Sequence, residues 1–242
     1  MIIKASPVKD NFASVAFSDG KYILYKKGKD KSLFRVTDSG FNVLNSFELG
    51  PVNRDNRVFA AENCPLMGIV SDGKSLTVYD LEGKALKSIG GSYIMAGFDS
   101  TGNLWCIKRI DKENLSIELY DADFSLSASL DIEDELYESS AELRYISGLG
   151  CMLLELAAGQ DGCQAYLLKG GGKSLEIVYT FESDLTCITF NADHSRFLAI
   201  MHGEDGYGYY TYPGGEEISS MFIEETVGED ADNGGGALYF NL

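Results

Sequence analysis

Ser75-Leu-Thr-Val-Tyr-Asp80-Leu-Glu-Gly83-Lys84-Ala-Leu-Lys-Ser-Ile89 is the stretch whose reading decides the fold. β-Branched and aromatic residues over Leu76–Tyr79 run straight into an Asp80–Gly83 turn, and a second strand follows. The unit recurs. Ser32 to Asp38-Ser-Gly40 leads into Phe41–Phe47, and Ser116 to Asp121-Ala-Asp123 leads into Phe124–Leu130. Looser copies are Ala165–Gly170 before Leu175–Phe181, and Tyr209–Pro213 before Ile218–Phe222. The turn anchors Asp38, Asp80, Asp121, Gly170 and Pro213 are spaced by 42, 41, 49 and 43 residues. A fixed period of forty-odd residues points to a repeat architecture.

A second series supports the first. Phe17, Phe98, Tyr145, Phe190 and Phe240 end short apolar strands, and Arg57–Ala61 fills the missing place. Leu115, Ile117 and Leu119 share a face, as do Leu126, Ala128, Leu130 and Ile132. Alternation with period two means half-buried antiparallel strands. Helical spacing is weak, and only Glu133–Arg144 has room for a helical turn or two.

Four short strands per repeat cannot hide both faces of one sheet; packing the sheets around an axis does. The expected fold is all-β: a β-propeller of four-stranded antiparallel blades, five in number, with a six-bladed or incomplete ring as the alternative. One domain is expected over 1–242, with blade-like units at about 12–49, 57–90, 92–132, 141–182 and 185–223. The termini, 1–11 and 224–242, are left to close the ring, with Ala237–Asn241 resembling a further inner strand. Residues 75–84 resemble the third strand and following turn of a WD repeat. The pattern as a whole resembles the WD-repeat-like and bacterial YVTN-type propeller superfamily. Tyr79-Asp80 stands where Trp-Asp is usual in that family, and no Gly-His dipeptide opens a unit.

Gly68-Ile-Val-Ser-Asp-Gly73-Lys74-Ser75 matches the phosphate-loop pattern literally. That chemistry needs a helix after the loop, whose N-terminus faces the phosphates. Here a strand follows, so the match reads as a hairpin, and Gly170-Gly-Gly-Lys173-Ser174 also reads as a turn. Asp230-Ala-Asp232-Asn-Gly234 begins like a calcium loop, but Gly234 falls where a ligand is needed and no Glu closes it. His194 and His202 are too few for a three-His zinc centre. No cofactor, metal site or catalytic residue is expected.

The chain of 242 residues carries 20 Lys+Arg against 37 Asp+Glu, a net charge of −17. That balance disfavours nucleic acid and anionic membranes, which attract basic surfaces. Five cysteines without a C-x-x-C pair read as reduced thiols, and with no signal segment at Met1–Asp10 the expected compartment is the cytoplasm. Charge is uneven along the chain. Residues 1–54 hold nine basic and five acidic residues, whereas 197–242 hold nine acidic and no Lys or Arg.

The leading expectation is therefore a non-enzymatic protein-binding or scaffold propeller that engages a protein partner, basic in character, through an acidic loop face. The residues expected to carry it are Glu204, Asp205, Tyr207, Glu135 and Asp184. A propeller hydrolase or lyase with an axial carboxylate site, and a structural or assembly subunit that self-associates, are the alternatives. The run Tyr207, Tyr209, Tyr210, Tyr212 suits strand packing first and partner stacking second.

Overall fold

The computed structural model describes residues 14–52, 56–71, 75–203 and 206–222. They form five four-stranded antiparallel sheets, each a simple meander in chain order. The first blade holds β1 (Ser14–Ser18), β2 (Lys21–Lys26), β3 (Ser32–Thr37) and β4 (Val43–Leu49). The second holds β5 (Asn56–Ala60), β6 (Leu66–Ser71), β7 (Ser75–Asp80) and β8 (Ala85–Gly90). The third holds β9 (Tyr93–Phe98), β10 (Leu104–Arg109), β11 (Asn114–Tyr120) and β12 (Leu126–Glu133). The fourth holds β13 (Ser140–Ile146), β14 (Cys151–Ala157), β15 (Cys163–Gly171) and β16 (Ser174–Thr180). The fifth holds β17 (Leu185–Phe190), β18 (Arg196–Met201), β19 (Gly206–Thr211) and β20 (Glu217–Phe222). This is a five-bladed propeller. The terminal segments 1–11 and 224–242, with Ala237–Asn241 and Phe240, lie outside the described residues.

The cores lie between consecutive blades. Ile23, Phe34 and Val36 of the first blade meet Met67 and Ile69 of the second. Phe59, Val70 and Val78 meet Tyr93, Phe98 and Cys106. Trp105, Ile107 and Ile117 meet Met152, Leu154 and Leu168. Leu153, Leu167 and Phe181 meet Ile188, Phe197 and Tyr210. The middle strands β6, β10 and β14 are buried on both faces and read as nearly continuous apolar runs, whereas the outer strands β4 and β12 alternate.

The recurring aspartates have a common physical role. The Oδ1 of Asp38, Asp80, Asp121 and Asp99 accepts the backbone N–H groups two and four residues on. The N–H of the residue three positions on donates to the aspartate's own carbonyl. That residue sits in the left-handed region: Phe41, Gly83, Phe124 and Gly102. Every pairing of third and fourth strands also carries one register shift, beside the turn in four blades and away from it, at Leu167–Leu168, in the fourth. Such bulges twist an outer edge away from edge-to-edge pairing.

No helix occupies Glu133–Arg144. β12 runs to Glu133, β13 starts at Ser140, and the residues between form a tight turn around Asp134. The buried Asp134 carboxylate takes up the turn's free N–H groups, which leaves no need for helical hydrogen bonds. The phosphate-loop lookalike is a strand pair. β6 and β7 close antiparallel at Ser71↔Ser75, with Gly73 and Lys74 outside the described residues.

Candidate functional site

In each meander, the loop between second and third strands lies at the same end as the connection to the next blade. That end gathers Lys26–Lys31 of the first blade with Asp111–Glu113, Asp134–Ser139, Ala158–Gly162 and Phe181–Asp184 from later blades. Glu135 and Asp184 therefore share one end of the molecule, and Tyr207, at the start of β19, joins them. Glu204 and Asp205 lie outside the described residues.

Glu135, Glu138, Asp161, Glu182 and Asp184 are exposed. Among the described residues none of them takes part in an ion pair. Asp184 is held through its backbone: its N–H donates to the Cys163 carbonyl at 2.9 Å and its carbonyl accepts the His202 N–H at 2.7 Å. Burial, together with Asp184 and Glu155 nearby, pushes the Cys163 thiol up to about 11. Tyr207 is half-buried. The rest of the tyrosine run packs: Tyr210 stacks on Phe197, Tyr212 meets Tyr179 and Phe190 edge-on, and Tyr209 lies under the Arg196 guanidinium. On the same end, Lys26, Lys27, Lys29 and Lys31 are exposed, with Lys31 bound to Glu48.

Asp134, in contrast, is not part of the exposed charge. It is fully buried and ion-paired to Arg109 at 2.9 Å. Its carboxylate also accepts the Ser139 N–H at 3.0 Å and the Ser139 hydroxyl at 2.9 Å. Arg109 further donates to the Ser139 carbonyl at 2.6 Å. The acidic loop around Glu135 thus stands on a buried charged clamp.

The axis holds a second group that spacing alone does not reveal. Arg57 on β5 forms an ion pair with Glu142 on β13, linking the second blade to the fourth. Glu155 accepts the Ile188 N–H at 3.0 Å, and Arg144 donates to the Ile188 carbonyl. Glu142, Arg144, Glu155, Cys187 and Thr189 line one recess, and Arg144 also lines a neighbouring cleft of about 240 Å³ floored by Phe59, Met95 and Phe98. Burial holds the Glu155 carboxyl above its ordinary value, the Ile188 N–H and Arg144 oppose this, and Glu142 adds to it. Cys187, at a positive φ, sits in the register shift of β17 that this clasp pins. Arg57 and Glu142 are 85 residues apart, so no local motif could have paired them.

A further charged group is buried between blades two and three. Glu118 accepts from the Tyr93 and Tyr120 hydroxyls, both at 2.7 Å, and from Lys108 at 3.3 Å. Burial alone would raise this carboxyl, but the two hydroxyls and Lys108 hold it below its ordinary value. Both oxygens are satisfied by β9, β10 and β11, so the group ties the strands of the third blade together rather than facing a ligand. No group of three His, Cys, Asp or Glu side chains among the described residues is arranged to hold a metal.

No family model matches the chain, and no curated protein matches it in sequence. Solved structures do match in fold. The dihydro-heme d1 dehydrogenase NirN, in complex with DHE, aligns with a TM-score of 0.61 at 15% identity over 85% of this chain and 44% of its own. Kuenenia stuttgartiensis hydrazine synthase aligns with a TM-score of 0.54 at 12% identity over 81% of this chain and 63% of its own. A protein of unknown function from Bacteroides caccae aligns with a TM-score of 0.55 at 10% identity over 84% of this chain and 73% of its own. The chain thus spans less than two thirds of the first two. At these identities the likeness concerns the propeller fold alone.

Proposed function

We propose that this chain is a non-enzymatic, protein-binding propeller of the WD-repeat-like or bacterial YVTN-type kind, working in the cytoplasm and engaging a basic partner through its acidic loop end. The observation that carries this reading is the set of exposed carboxylates Glu135, Glu138, Asp161, Glu182 and Asp184 at one end, none of them ion-paired among the described residues. Such charges steer a cationic partner and set its orientation more than they add affinity. We include Glu204 and Asp205, which fall between β18 and β19 in sequence, in the same docking end.

The axial carboxylates support this choice by what already occupies them. Acid–base hydrolysis of a glycoside places two carboxyl groups on either side of the bond to be broken. Glu142 and Glu155 lie side by side on one sheet, the first bound to Arg57 and the second to the Ile188 N–H. Their contacts clasp three blades together.

The test is capture of partners from native lysate at low and high salt, followed by association kinetics with the recovered protein. Changing Glu135, Glu204 and Asp205 to Lys is expected to slow association on the order of tenfold at low salt and to flatten its salt dependence. Unchanged association rates across the salt series would reject the acidic end as the docking face.

A further inference from the structure

In five turns the N–H three positions after an Asp or Asn donates to the carbonyl of that Asp or Asn, and the residue carrying it sits in the left-handed region. The occupants Gly83 and Gly102 avoid the steric cost. Phe41 recovers it by stacking on Tyr22, with ring centroids 5.1 Å apart. Phe124 packs against the core between blades two and three. His194 lies against Phe190 and over Gly148. The turn after Asp134 shares that bond: the Tyr137 N–H donates to the Asp134 carbonyl at 2.9 Å and the Leu136 N–H to its carboxylate, while the Glu138 N–H goes to the Lys112 carbonyl instead.

Tyr137 occupies the left-handed position there at φ 52°, and Glu138 follows at φ 65°. Yet Tyr137 is 55% exposed. Among the described residues its ring stacks on nothing and its hydroxyl makes no hydrogen bond. Two consecutive strained residues persist only where the surroundings over-determine them, and strain of this kind gathers at ligand clamps. The surroundings do so here. The Asp134–Arg109–Ser139 clamp fixes the loop from below, and Asp134 N–H and Glu138 N–H tie it to the Glu113 and Lys112 carbonyls at 2.7 and 3.2 Å. The result is a loop tied down by its backbone that carries one exposed aromatic ring and, two positions before and one after it, the exposed carboxylates Glu135 and Glu138. A preorganised aromatic loses little freedom on binding, which is why Tyr anchors interfaces.

Resting on the reading of the acidic end as a protein-docking face, we infer that Tyr137, flanked by Glu135 and Glu138, is the anchor of that face and grips an arginine side chain of a protein partner. The planar guanidinium stacks on the ring while its N–H fork meets the carboxylates. Lysine offers the charge without the planar fork.

The experiment uses the full chain and two ten-residue probes of equal charge, one alternating Arg with Ser, the other Lys with Ser. Wild type is expected to bind the Arg probe about 2- to 5-fold more tightly than the Lys probe, the range of an exposed cation–π contact. Tyr137→Gly, which relieves the backbone, is expected to melt no lower than wild type and to bind both probes equally. Tyr137→Phe keeps the preference. Glu135→Lys with Glu138→Lys weakens both probes alike. An Arg preference that survives Tyr137→Gly overturns the anchor while leaving the acidic face standing. Failure of wild type to bind either probe at low salt overturns both. A Tyr137→Gly variant that melts well below wild type makes the ring structural and overturns the anchor as well.

Discussion

Glu142 and Glu155 stand directly opposite each other across β13 and β14, so two carboxylates share one face of the fourth blade beside the axis. Like charges directly opposite are destabilising unless something compensates. Arg57 compensates the first from the second blade, and Arg144 with the Ile188 N–H compensates the second toward the fifth. The axis is therefore held by a charge arrangement reaching three blades rather than by apolar filling.

Glu155 gives that arrangement a pH signature. Its carboxyl is raised, mainly by burial, so the folded chain holds the proton more tightly than the unfolded one. Between the ordinary carboxylate value and the raised one, the unfolded chain releases a proton that the folded chain keeps. Stability from this group then falls as pH rises through the window and stays lower above it. Glu155→Gln keeps the acceptor for Ile188 and removes the ionisation. Urea midpoints of variant and wild type should coincide at acid pH and diverge in the variant's favour as pH rises. Divergence in wild type's favour would mean that the ionised form is the stabilising one.

Asp134→Ala should be among the costliest single changes. It leaves the Arg109 guanidinium, 19% exposed, without its carboxylate and frees the Ser139 N–H. Breaking a buried pair from one side costs about 3–5 kcal/mol, a large part of the roughly 5–15 kcal/mol that holds a typical domain. Asp134→Asn, which can still accept from Ser139, should cost less. Equilibrium urea unfolding of both variants decides it, and equal stability of Asp134→Ala and wild type would refute the clamp.

The blades were legible in the sequence because their signals are local. Period-two alternation, Asp turns and a recurring strand ending each act within ten residues, and the Asp signal has a mechanism, the paired N–H acceptance seen at Asp38, Asp80 and Asp121. The helical turn expected after Glu133 was misread because Asp134 looks like surface charge in sequence and is in fact buried against Arg109, 25 residues away. The axial clasp depends on pairings across blades and the Glu118 cluster on pairings across three strands of the third blade, which one sequence does not print. Tyr137 was missed because an aromatic in a turn gives no sign of φ; its place three residues after an Asp is the signal that the other turns supply in retrospect.

The Asp turns make a pH prediction of opposite sign to that of Glu155. The Asp38 carboxyl is held below its ordinary value, foremost by hydrogen bonds from Asn42 and also by the Gly40 N–H. A depressed carboxylate contributes stability that is present above the unfolded value and lost as pH falls through the folded one. Asp38→Ala should lower the melting temperature near neutral pH, and the gap to wild type should close in acid. A gap that persists unchanged in acid would mean that the turn is held by its backbone alone.

Gly68 is the first glycine of the phosphate-loop lookalike, and its packing gives a different reason for the residue. It lies opposite Phe59 across β5 and β6. A Cβ at Gly68 would come within 2.1 Å of the Phe59 ring. That ring is buried between blades two and three, 5.2 Å from the Phe98 ring centroid, so it has little room to retreat. Gly68→Ala should therefore destabilise the chain by about 1–3 kcal/mol, the usual cost of overpacking a filled core. Phe59→Leu makes room for the methyl group, so the double variant should lose less than the sum of the two single losses, a coupling that a double-mutant cycle measures. A phosphate loop would respond otherwise: Gly68→Ala would abolish nucleotide binding, and Phe59→Leu would not restore it. Urea unfolding of the four proteins separates the cases. Additive losses, or wild-type stability in Gly68→Ala, would show that the glycine is not there to seat Phe59.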